Sequence, residues 1–144
     1  MMTIKQLSVF LENKPGRLCA ATDTLAKNKI DISALTLADT AEFGILRMIV
    51  DQPEKAKDVL TESGVIVRVS DVIAVPMNDT PGGAGDILHL LSESGLNVEY
   101  MYACVGKMSG KAIMIIKTND LKITEEILRR NGYGDINPSD VYRI

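Results

Sequence analysis

Asn13-Lys14-Pro15-Gly16 and Asp79-Thr80-Pro81-Gly82 are two versions of one tetrapeptide, offset by 66 (81 minus 15) in a chain of 144 residues. A repeat of this kind means that one supersecondary unit is used more than once. The same offset carries Leu7, Val9 and Leu11 onto Ile73, Val75 and Met77. Apolar residues at alternate positions are the mark of a half-buried strand, so both segments read as strands with matching inward faces.

Behind each Pro-Gly the period changes. Leu18, Ala21, Thr22 and Leu25 fall at helical spacing, and the offset sends them to Ala84, Ile87, Leu88 and Leu91. Ile30-Asp31-Ile32 then matches Leu96-Asn97-Val98, the step into a second strand. Further along the offset becomes 68 (124 minus 56), a small net insertion in the second copy. Ala56, Val59, Leu60 and Ser63 match Thr124, Ile127, Leu128 and Asn131 on a second helix. Gly64 and Gly132 stand where a left-handed residue stops a helix.

Each copy therefore reads strand, helix, strand, strand, helix, strand, and the boundary falls near Ser70-Asp71, giving domains 1–70 and 71–144. Right-handed crossovers place both helices of a copy on one sheet face. Ile32–Leu37 pairs with Ile45–Val50, and the second hairpin runs from Val98 to Thr118, turning at Gly106–Gly110. The expected fold class is α+β: two tandem ferredoxin-like βαββαβ sandwiches with antiparallel sheets. A copy of about 70 residues has a marginal core. Ile45–Val50 and Ala112–Ile116 are apolar at nearly every position, whereas a sheet with one wet face alternates. The expectation is that the two copies pack on each other or that a second chain covers the free face, with association, as a homodimer, favoured.

Charge and composition exclude several function classes. A net charge of -3 and only two Phe, with no Trp, argue against nucleic acid as a partner. No apolar run is long enough to cross a membrane and the start lacks a leader pattern, so no membrane partner and a cytoplasmic location are expected. Cys19 and Cys104 sit in no metal-type pair and read as two buried free thiols. The one histidine, His89, lies off its helix's apolar stripe and reads as a surface residue. With no nucleophile–base pair and no ligand cluster, no catalytic residues, metal or cofactor are expected. Tyr100 and Tyr102 share a strand face, where lining a pocket or interface and simple packing both remain open. Glu125-Glu126 and Arg129-Arg130 read as ion pairs on a solvated helix face.

These residues resemble the ACT domain family, once per repeat and over nearly the whole chain. The resemblance rests on Glu12-Asn13-Lys14-Pro15-Gly16-Arg17-Leu18 with Ile30-Asp31-Ile32, and on Asn78-Asp79-Thr80-Pro81-Gly82-Gly83-Ala84 with Leu96-Asn97-Val98. It implies a module that binds an amino acid between paired domains and regulates a metabolic enzyme, attached or bound in trans. Carried over by position, the implied ligand residues are Asn13, Gly16, Arg17, Leu18 and Asp31, and Asp79, Gly82, Gly83, Ala84 and Asn97.

The chemistry of those residues suits such a ligand. A Pro-Gly turn leading into a helix presents free N–H groups to a carboxylate, and glycine admits close approach to the main chain. An ammonium needs acceptors such as an Asp carboxylate or Asn carbonyl. Each copy supplies one of each in swapped order, Asn13 with Asp31 and Asp79 with Asn97, which keeps the charge of the site the same. Pro81-Gly82-Gly83-Ala84-Gly85-Asp86 is glycine-rich, but no Gly-Lys-Ser/Thr follows, so a small-molecule loop is expected rather than a nucleotide loop. Both tetrapeptides also serve as ordinary turns, and Asp31 stands where amino-acid-sensing members often carry Asn. The expected function is a non-catalytic amino-acid-binding regulator acting through a partner or oligomer. The alternative is a ligand-free structural or protein-interaction module, and behind it a small enzyme.

Overall fold

The computed structural model describes residues 2–39, 42–104, 111–137 and 141. Along the chain come β1 (Thr3–Glu12), α1 (Arg17–Lys27), β2 (Ile32–Asp39), β3 (Phe43–Val50), α2 (Pro53–Glu62) and β4 (Ile66–Asn78). They are followed by α3 (Gly83–Glu93), β5 (Val98–Cys104), β6 (Lys111–Thr118) and α4 (Leu121–Arg130). Two units form. The N-terminal unit contains Lys5–Ser70, and the C-terminal unit contains Asp71–Val141 together with the first residues of the chain, through Ile4.

In the N-terminal unit the strand order is β2-β3-β1-β4. Strand β3 is antiparallel to both neighbours, with Leu46 opposite Val9 on β1 and Leu37 on β2. Alternation turns Leu7, Val9 and Leu11 to the same side as Leu46, Met48 and Val50, and that side receives Ala21 and Leu25 from α1 and Ala56 and Leu60 from α2. Both helices thus lie on one face. Gly64, at φ 98°, ends α2 in the left-handed conformation that glycine adopts without strain. Leu18 does not join the core stripe and is 38% exposed.

The C-terminal unit repeats the plan with the order β1-β4-β6-β5. Ile73, Val75, Met114 and Ile116 meet Ile87 and Leu91 of α3 and Leu128 of α4. Its outer strand differs from expectation. The second copy should end in a strand of its own, yet none of the described residues after α4 is in a strand. The edge is taken instead by the start of the chain: the Ala74 N–H donates to the Met2 carbonyl at 2.8 Å, and the Met2 side chain is buried in the core. The Met2 N–H donates to Glu125 Oε1 at 2.8 Å. Physically, the segment after α4 carries Gly134, Asp135 and Asn137-Pro138, all poor strand formers, while Thr3-Ile4 is well suited to an edge.

Two further expectations concern burial. Ile113 and Ile115 alternate with Met114 and Ile116 on β6, and both are fully buried in the single chain, as is Ala74. Both faces of β6 are thus buried in the single chain. Cys104 is buried as expected, but Cys19 is exposed because it falls on the solvent side of α1, where its thiol lies 3.6 Å from Asp23 Oδ2. The expected turn at Gly106–Gly110 lies outside the described residues; the strands it joins pair from Val98 opposite Thr118 to Cys104 opposite Ile113.

Candidate functional site

In the N-terminal unit the turn between β1 and α1 is held from both sides. The Asn13 N–H donates to the Glu42 carbonyl at 3.1 Å, and the Lys14 N–H donates to the Glu12 carbonyl at 2.8 Å. Lys14 Nζ stands 2.9 Å from Glu12 Oε2, with the Arg17 guanidinium at 3.9 Å. The hydrogen bond from Lys14, aided by the charges of Lys14 and Arg17, holds the Glu12 carboxyl below the usual glutamate range. Gly16 has φ 85° and forms the N-cap of α1 without a side-chain cap. The matching turn places Gly82 at φ 87° as the uncapped N-cap of α3.

The glycines do different things. A Cβ on Gly16 or Gly82 would touch nothing within 4 Å, so these two serve the left-handed backbone. A Cβ on Gly83 would lie 2.0 Å from the Asn78 carbonyl oxygen, so its missing side chain makes room for the protein's own backbone. Gly83 is buried and Ala84 half-buried, whereas Asp79 and Gly82 are exposed.

Asp31 and Asn97 lie at the other end of their sheets. The Asp31 N–H donates to Asp51 Oδ1 at 3.0 Å, and the Asp51 N–H donates back to the Asp31 carbonyl at 3.1 Å. Asn97 and Asn119 form the same clasp, at 2.9 and 3.3 Å. Glu12 pairs with Phe43 at the start of β3 and Ile32 with Val50 at its end, so the eight residues of β3 separate the two places. At about 3.3 Å per residue that is about 23 Å. Within a unit, then, Asn13, Gly16, Arg17 and Leu18 come together without Asp31, and Asp79, Gly82, Gly83 and Ala84 come together without Asn97. The proposed charge-conserving pairs are not pairs inside one unit, because the crossover helix returns the chain to the opposite end of the sheet. Asp51 and Asn119 were missed; the offset of 68 (119 minus 51) aligns them and was the signal available.

Beside each turn lies a cavity at equivalent positions. In the N-terminal unit it measures about 230 Å³ and is bounded by Glu12, Arg17, Phe43, Gly64 and Ile66. In the C-terminal unit it measures about 470 Å³ and is bounded by Asn78, Lys111, Asn131, Gly132, Tyr133 and Asp135. Lys111 Nζ donates to Asn78 Oδ1. Asp135 accepts from Arg129 at 2.7 Å, which holds its carboxyl below the usual range. Burial, with the nearby Asp86 charge, raises the Tyr133 phenol. Among the described residues no group of three His, Cys, Asp or Glu is placed to hold a metal, and no helix is long and apolar enough to cross a membrane.

The sequence profile of the ACT domain pair matches residues 2–143. Protein BT0572 from Bacteroides thetaiotaomicron has a similar crystal structure, with 38% identity, a TM-score of 0.90, and coverage of 99% of this chain and 98% of that one. The ligand-free regulatory subunit of aspartate kinase from Thermus thermophilus is similar in fold at 14% identity and a TM-score of 0.66, covering 89% of this chain and 92% of that one. The corresponding subunit from Thermus flavus is similar at 16% identity and a TM-score of 0.62, covering 90% and 94%. No curated protein matches the chain.

Proposed function

This chain belongs to the ACT domain pair family, and from that premise we propose that it is a non-catalytic regulatory protein that binds a free amino acid. The observation that carries the reading is the twice-built turn: a left-handed glycine opening a helix that has no side-chain cap, once in each unit. Such a helix start offers backbone donors and a favourable dipole to a carboxylate. Asn13 beside one turn and Asp79 beside the other supply acceptors for an ammonium.

The separation of about 23 Å between the turn and the clasp fixes how the implied residues can cooperate. A free amino acid cannot touch Asn13 and Asp31 of one unit at once. We therefore assign the facing end to a domain of a second copy, which makes the working form a homodimer and lets ligand occupancy shift its population. The output passes to a partner, with a metabolic enzyme bound in trans as the fitting kind.

Thermal unfolding against each of the twenty amino acids tests this. At about 100 times Kd a ligand adds about 2.7 kcal/mol, which raises the midpoint of a chain this size by roughly 5 to 10 °C. A rise with one or a few amino acids, lost in Asp79→Ala or Asn97→Ala, is the expected result. A flat panel on folded protein overturns the amino-acid reading in favour of an interaction module, for which the exposed Phe43 and Ile66 would be the surface.

A further inference from the structure

On the sheet of the N-terminal unit, the face turned away from α1 and α2 carries a patch of side chains that the core does not use. Phe10 shares that face of β1 with Glu12, and Glu12 pairs with Phe43 on β3. Ile66 and Arg68 lie on the same face of β4, alternating with Val67 and Val69, which pack on the core. Phe10, Phe43, Ile66 and Arg68 together bound a cavity of about 280 Å³. Phe43 is 48% exposed and Ile66 67%, and clustered exposed apolar side chains of this size mark a contact surface rather than a core. The offsets of 66 (76 minus 10) and 68 (111 minus 43) carry the four onto Pro76, Lys111, Gly134 and Ile136. The second copy folds with neither the rings nor the guanidinium, so they answer to something other than the fold.

We propose that this cavity binds a small aryl carboxylate that carries no amine, its ring between Phe10, Phe43 and Ile66 and its carboxylate on Arg68. The Arg68 guanidinium carbon lies 5.8 Å from the centroid of the Phe10 ring, a cation–π contact that stations the charge at the cavity. Among the described residues Arg68 makes no hydrogen bond or ion pair besides. Its planar fork is therefore open to a carboxylate, which it grips by two parallel hydrogen bonds. Apolar neighbours strengthen such a pair relative to open water. An apolar cavity of about 150 Å³ already admits benzene, so about 280 Å³ takes a ring with a short acid chain. The two phenyl rings favour an aromatic body through offset or edge-to-face contacts. An ammonium finds no acceptor, since none of the four side chains has one. Glu12, on the adjoining cavity, is held by Lys14 at 2.9 Å. One guanidinium with no second cation on these walls suits a monoanion better than a phosphate. Place and ligand class both separate this site from the glycine turns.

Backbone amide spectra of 15N-labelled full chain test the assignment, with 3-phenylpropanoate, its neutral alcohol 3-phenylpropan-1-ol and L-phenylalanine as probes. The acid is expected to move the Phe43, Ile66 and Arg68 amides. Its Kd should weaken by about tenfold or more in Arg68→Met, as should the affinity of the alcohol for wild type, because a charged hydrogen-bonded pair is lost. L-phenylalanine should bind there more weakly than the acid. Arg68 is exposed, so Arg68→Met should leave the unfolding midpoint unchanged. No movement of these amides with the acid overturns the site and returns Phe43 and Ile66 to a protein-contact surface. Binding that is undiminished in Arg68→Met, or equal for acid and alcohol, overturns the carboxylate assignment. The turns report separately: amino-acid shifts at Gly16 or Gly82, in wild type and Arg68→Met alike, bear on the proposed function whatever the cavity does.

Discussion

The N-terminal unit closes its sheet with the residues that follow its second helix, whereas the C-terminal unit closes its sheet with the beginning of the chain. Val65, Val67 and Val69 seal the first core; Met2, more than a hundred residues away in sequence from α4, seals the second. The comparison teaches that a duplicated sequence need not give two self-sufficient folds. Among the described residues one copy runs continuously from Lys5 to Ser70, but the other takes its outer strand from the start of the chain. The borrowed strand is also short, and beside it none of the described residues after α4 joins the sheet, while the same cavity is larger in the C-terminal unit.

The largest expected effect addresses the borrowed strand. Met2→Ala should cost about 3 kcal/mol by emptying a fully buried site, and hydrogen exchange should show the loss in α3, β6 and α4. Equal loss throughout the N-terminal unit would break the distinction. Next comes the turn. Gly83→Ala should cost about 2 kcal/mol, since the added Cβ collides with the Asn78 carbonyl. Arg17→Ala at the aligned position should change stability by no more than about 0.5 kcal/mol. Denaturant midpoints of the two variants read this directly, and similar values would mean that the turns are equivalent after all.

A smaller effect of opposite sign is expected at the β2 bulge. Ser33 is 2% exposed and its hydroxyl finds no hydrogen-bond partner among the described residues. Its counterpart at the β5 bulge, Glu99, is exposed. Ser33→Ala should be neutral or stabilise by up to about 1 kcal/mol, because a buried unpaired group is removed; a clear destabilisation would reveal a partner. The smallest effect is in pH. Glu12 has its carboxyl lowered by Lys14, so its contribution is present above the ordinary glutamate value and is lost as pH falls through the lowered one. Glu12→Gln should make the acid limb of the unfolding curve slightly less steep, and Asn78→Ala should leave its slope alone. A steeper limb in Glu12→Gln would reverse the sign.

Much of the fold was legible in the residues themselves. Alternation at Leu7, Val9 and Leu11 and at Ile73 and Val75 marked strands whose inward faces are those of the cores. Ala56 with Leu60 and Thr124 with Leu128 marked buried helix stripes. The Pro-Gly pairs placed the left-handed turns at Gly16 and Gly82. These are local matters, fixed by side-chain period and by backbone conformations open to glycine.

The candidate site was legible only as a set of residues. That Asp31 lies a strand's length from Asn13, and Asn97 from Asp79, depends on where a crossover helix delivers the chain. Gly83 looked like a ligand-facing glycine until the Asn78 carbonyl was seen beside it. Ile113 and Ile115 looked uncovered until their burial in one chain was known. The sequence by itself determined the period, the two copies, the helix faces and the glycine turns, because each depends on neighbours a few residues apart. Tertiary structure alone decided which strand closes the second sheet and how wide its cavity is, because backbone hydrogen bonds between distant segments carry no side-chain signature.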